Sequence, residues 1–81
     1  MENENEQFVT RDFYISVFLL SKGHRLISIN RDDPQRVLFA FNDFEGRENL
    51  LRDFIYGKSS IEPQSFINSV KALKQVLYSN D

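Results

Sequence analysis

The side chains able to do chemistry are few and poorly matched. His24 is the only histidine in the 81 residues, and there is no cysteine. A histidine or thiolate cluster for a metal is therefore out of reach of a single chain. No HExxH pair, Walker loop or dinucleotide-binding glycine pattern occurs. Gly23, Gly46 and Gly57 stand far apart, as helix punctuation does. A serine, His24 and an aspartate can be drawn as a triad, but no nucleophile elbow presents the serine. Among the acids, Asp12, Asp43 and Glu45 sit where helices begin, and Asp32 and Asp33 where the chain turns. A paired-carboxylate catalyst needs two acids in one pocket with separated pKa values. A chain this short has little volume to spare for such a pocket. The reading is no catalytic residue, no cofactor and no metal ligand set, and so not an enzyme.

The cations offer more. Lys22 and Arg25 flank Gly23 and His24, and Arg31 and Arg36 bracket a turn that also holds Asp32 and Asp33. The two arginines either form a local salt-bridged cluster with those acids or contact phosphate or a protein. Lys22, His24, Arg25, Arg31 and Arg36 are the candidate partner or phosphate contacts. The formal charge is −2, and with Glu2, Glu4 and Glu6 set aside it becomes about +1. A nucleic-acid domain usually carries a clear excess of Lys and Arg. Here only a localised patch could serve, because net charge does not fix placement.

These residues need elements to hold them. Thr10 is placed to cap a helix over residues 11–22, with Val9 and Tyr14 as a hydrophobic staple and Gly23 as its stop. Between Phe13 and Leu20 only Ser16 is polar, so this helix is apolar nearly all round and needs cover on more than one side. Tyr14 and Phe18 form one of its stripes and are the candidate self-association residues. Residues 26–31 and 36–41 read as a hairpin, with Ile29 opposite Leu38 and Ile27 opposite Ala40. Apolar groups on both faces place that hairpin between layers. Asn42 or Asp43 can cap a second helix to about Tyr56, with Glu45 completing a capping box and Glu48 pairing with Arg52. A third helix starts near Pro63 and carries Phe66, Val70, Leu73 and Leu77 on one stripe, widened by Ile67, Val76 and Tyr78.

The fold class is therefore α+β: one small domain in the order α-β-β-α-α, with a β-hairpin packed against helices. Residues 1–7 are expected to form a disordered acidic tail, 8–79 the compact domain, and 80–81 a frayed end. The acidic start is the reverse of a signal peptide's, and the longest near-apolar run is too short to span a bilayer, so a cytoplasmic location without membrane contact is expected.

Phe8-Val9-Thr10-Arg11-Asp12-Phe13-Tyr14-Ile15, then Phe18-Leu19-Leu20-Ser21-Lys22-Gly23-His24, resembles the opening of a family of small uncharacterised prokaryotic domains, the domain of unknown function of the DUF5659 type. The similarity continues through Arg31-Asp32, residues 37–41, Phe54, Tyr56-Gly57-Lys58, Pro63 and Phe66. It implies a compact stand-alone domain and carries no reaction with it. The leading expectation is a small non-enzymatic binding or adaptor domain whose partner is a protein or a second copy of itself. The alternatives are a nucleic-acid-associated accessory protein using a basic patch and, third, a small enzyme with His24 and an acid in a deep cleft.

Overall fold

The computed structural model describes residues 6–79. Six elements follow in order: β1 (Gln7–Thr10), α1 (Phe13–Ser21), β2 (Leu26–Asn30), β3 (Leu38–Asn42), α2 (Arg47–Ile55) and α3 (Pro63–Leu77). The α-β-β-α-α order stands, with one short strand added in front of it. Residues 1–5 and 80–81, most of the expected tail and the expected frayed end, lie outside the described residues. Gln7, assigned to the tail from sequence, opens β1, and the Glu6 carbonyl accepts the Asp43 amide at 3.2 Å.

The three strands form an antiparallel sheet in the order β1-β3-β2. β1 and β2 are thus parallel to each other, joined through α1, with β3 inserted between them. This is a split β-α-β unit. Phe39 and Phe41 of β3 turn to the helices and are almost wholly buried, and Phe8 pairs beside Phe41 on the same face. α2 lies over β1, where the Arg47 guanidinium sits 4.2 Å from the Phe8 ring centre. α3 lies over β2, where Arg31 reaches its last turn.

The hairpin register differs from the expected one, and the reason is parity. Leu26 and Ile29 both pack on the core, yet residues three apart on a regular strand point to opposite faces. The chain resolves this with a one-residue bulge. Leu26 pairs with Phe41 and Ser28 with Ala40, leaving Ile27 unpartnered and half-exposed. Ile29 then faces Phe39, not Leu38. The sheet's other face carries Val9, Leu38, Ala40 and Ser28 and takes no helix, so the hairpin bounds the domain and does not lie between layers.

α1 is the centre of the core. Val17, Phe18 and Leu19 have no exposed surface, and α3, Leu51 of α2 and β3 surround them. The α2–α3 link adds Ile61 to this core and is held down by Lys22, whose Nζ donates to the Ser60 carbonyl at 2.7 Å. Buried Ser16 donates its hydroxyl to the Asp12 carbonyl at 3.0 Å, so no polar group is stranded there. One copy of the chain therefore buries the centre of this nearly all-apolar helix and leaves Tyr14 exposed.

Two helix starts fall later than expected. Thr10 belongs to β1, and Asp12 is the cap of α1: its carboxylate accepts the Ile15 amide at 2.9 Å, while Thr10 Oγ1 accepts the Asp12 amide. The Val9–Tyr14 staple is consequently absent, and both residues are exposed. α2 starts at Arg47 behind Gly46, because Asp43 spends its carboxylate on Phe44 and Arg47 and the chain first makes a turn. No Asn42–Glu45 capping box forms. Gly23 and Gly57 stop α1 and α2 at φ +94° and +74°. In both, the next amide reaches back three positions before the cap (His24 to Leu19, Lys58 to Asp53), the Schellman pattern that a left-handed residue permits. α3 begins as expected, with Pro63 in its first turn and the Glu62 carboxylate accepting the Gln64 and Ser65 amides. Ile67, Val76 and Tyr78 lie largely outside the packed stripe.

Candidate functional site

The five candidate cations do not converge. Lys22, His24 and Arg25 precede β2, and Arg31 and Arg36 follow it, so a five-residue strand of about 16 Å separates the groups. At the first end, His24 stacks on Phe44 with ring centres 4.1 Å apart and planes 8° apart. Lys22 is tied to Ser60 and lies 5.7 Å from the Phe18 ring centre. Arg25 is exposed. At the second end, Arg31 donates to the carbonyls of Val76 and Ser79, closing the C-terminus of α3. That arrangement replaces the salt-bridged cluster expected at the turn. Asp33 instead accepts the Gln35 amide, and the Asp32 amide donates to Asn30 Oδ1. Arg36 is exposed and lines a small cleft of about 240 Å³ with Arg11.

The acids are equally committed. Asp12 and Glu62 cap helices. The Gln64 and Ser65 amides hold the Glu62 carboxyl below its ordinary range. Asp43 forms the one ion pair among the described residues, 3.0 Å from Arg47 Nε. Hydrogen bonds from Arg47 hold the Asp43 carboxyl below the usual carboxylate range, and the same contact raises the guanidinium. Among the described residues, no group of three His, Cys, Asp or Glu side chains is placed to hold a metal ion.

The two candidate self-association residues part company. Phe18 is fully buried and stacks on Phe54 with ring centres 4.3 Å apart, so it belongs to the core and offers no surface to a second copy. Tyr14 is 59% exposed, edge-on to Phe13.

Sequence reasoning missed a concavity on the helical side of the domain. An open groove of about 440 Å³ runs between α1 and α2, lined by Ile15, Leu51, Ile55 and Tyr56 with Arg47, Glu48 and Arg52 at its rim. Ile55 and Tyr56 are 64% and 70% exposed, so the end of α2 presents two large apolar side chains beside a concave wall. A signal was there. Leu50, Leu51, Phe54, Ile55 and Tyr56 exceed what one helical stripe can bury. Arg52 donates to Asn49 Oδ1, not to Glu48 as the spacing had implied, so its charge has no acidic partner among the described residues.

The molecule is thus a small α+β domain, a split β-α-β sheet under a layer of three helices, with a groove on its helical side. The chain belongs to the family described as Domain of unknown function (DUF5659), whose model matches residues 5–79. No curated protein and no solved structure matches it. No helix among the described residues is long and apolar enough to cross a membrane.

Proposed function

We propose that this is a non-enzymatic binding domain of the cytoplasm that takes a protein ligand in the α1–α2 groove. The observation that carries the reading is the exposure of Ile55 and Tyr56 beside the concave wall formed by Ile15 and Leu51. Large apolar side chains at a concave site, rimmed by polar groups, are where partners bind. Arg52 at the rim favours a ligand that joins an apolar side chain to a carboxylate. The separation of Lys22, His24 and Arg25 from Arg31 and Arg36 supports a protein ligand over nucleic acid, which would be met by a continuous cationic face.

The test is selection of displayed peptides against the immobilised domain, followed by NMR mapping of each selected peptide. Enriched sequences should combine apolar residues with Asp or Glu and should shift the resonances of Ile15, Leu51, Ile55 and Tyr56. Ile55→Glu should abolish those shifts. Selected peptides that map elsewhere, or that bind the variant equally well, reject the groove. Salt-dependent binding of short duplex or single-stranded DNA would move the reading to nucleic acid.

A further inference from the structure

One cleft lies apart from the groove, where the β2–β3 loop meets the C-terminal end of α3. Its volume is about 240 Å³, and its lining comes from segments far apart in the chain: Arg11 and Phe13 around the start of α1, residues 34–37 of the loop, Phe39 of β3 and Leu77 of α3. Phe13, Val37 and Leu77 are partly buried against the core and Phe39 is 2% exposed, so the floor is apolar. The polar lining is Arg11, Gln35 and Arg36, and it holds no acid. Both arginines are exposed, and neither has an ion pair or a side-chain hydrogen bond among the described residues. The acids nearest to them in sequence are engaged with backbone: the Asp12 carboxylate accepts the Ile15 amide, and the Asp33 carboxylate the Gln35 amide.

We propose that this cleft is a site for a small carboxylic acid with a short apolar body, its carboxylate held by Arg11 and Arg36 and its hydrocarbon laid on Phe13, Val37 and Leu77. Charge, shape and size each select that ligand. Two guanidiniums from separate segments leave positive charge without a partner beside an apolar wall. A carboxylate matches the planar guanidinium fork with two parallel hydrogen bonds. An apolar body gains by covering the wall, which a bare anion such as phosphate cannot do. The volume falls below the roughly 300–1,000 Å³ of a pocket for a drug-sized ligand, so the body is short. Arg31 takes no part, because both its terminal nitrogens donate to carbonyls at the end of α3. The site is separate from the groove assigned to a protein ligand, since no residue lines both.

Titration of the isotope-labelled chain with hexanoate, followed by NMR, tests this. Hexanoate should shift the amides of Arg11, Gln35, Arg36 and Val37 to saturation, and should bind more than about tenfold tighter than acetate or inorganic phosphate. Hexanamide keeps the apolar body and loses the charge, and should give no saturable shift. Arg11→Gln and Arg36→Gln fall at exposed positions and should leave the thermal midpoint intact, while each weakens hexanoate binding by about tenfold. Ile55→Glu, which alters the groove, should leave hexanoate binding unchanged. The proposal is overturned if hexanoate gives no saturable shift, or shifts only Ile15, Leu51, Ile55 and Tyr56. Equal binding of hexanamide or phosphate overturns it too, as does binding that survives both arginine substitutions.

Discussion

Phe18→Ala decides whether the first helix is core or contact surface. Phe18 has no exposed area and lies on Phe54 at 4.3 Å, with their planes only 15° apart. Truncating a fully buried Phe costs about 3–5 kcal/mol, because the transfer term and the cavity term add. At about 0.05–0.15 kcal/mol per residue, a domain of this size has roughly 4–12 kcal/mol in total. The variant should therefore lose between about a quarter and all of the domain's stability at 25 °C. Phe18→Leu keeps most of the volume and should cost less than about 1.5 kcal/mol. It therefore folds, and urea titration can measure it. With a slope near 1 kcal/mol/M for a small domain, its midpoint should fall by about 1 M. Paired with Phe54→Leu in a double-mutant cycle, it should give a coupling of about 0.5–1.5 kcal/mol from the stack. If Phe18→Ala shifts stability by no more than about 0.5 kcal/mol, as an exposed site does, the buried placement is wrong and so is the packing built on it.

Three further outcomes follow from the local structure. Asp43 has its pKa lowered by Arg47, so its stabilising effect is full above its unfolded value near 3.8 and is lost as pH falls through the lower folded value. Asp43→Asn should cost about 0.5–1 kcal/mol at pH 7 and flatten the acid limb of a stability–pH profile relative to the native chain; an unchanged limb would mean the pair contributes nothing. Gly23→Ala should destabilise by about 1–2 kcal/mol in thermal unfolding through backbone strain at φ +94° alone, since nothing lies within 4 Å of the added methyl. Arg31→Ala should speed hydrogen exchange at the last turn of α3 and leave the first turn, held by Glu62, unaffected; uniform loss along the helix would show that Arg31 acts on global stability.

Much of the architecture was legible because it rests on local signals. The α3 stripe, Pro63 at its start, and Gly23 and Gly57 as stops all follow from helix period and backbone chemistry. β1 was hidden because four residues carry too little alternation to separate a strand from a cap, and its partner lies far along the chain. The hairpin register failed on one residue: strict alternation cannot send both Leu26 and Ile29 inward, and only Phe39 and Phe41 together make the bulge worth its lost pairing. The groove and the contact of Arg47 with Phe8 were illegible for another reason. They join α2 to α1 and to β1, and no spacing within one element encodes which neighbour an exposed side chain meets.

The strand order has a consequence for how the chain acquires its shape. β1 and β2 never touch, and each is held only by β3. A growing chain can emerge with β1, α1 and β2 already made and still have no sheet, because the strand that joins them comes last. Until β3 arrives, Val17, Phe18 and Leu19 of α1 lack the apolar floor that Phe39 and Phe41 supply. The two outer strands are then recruited onto one central strand, the hairpin by a short loop and β1 by a long closure. Since long closures cost more entropy and slow folding, docking of β1 is the natural late step. β1, an edge of the finished sheet, is thus also the last strand to be fastened.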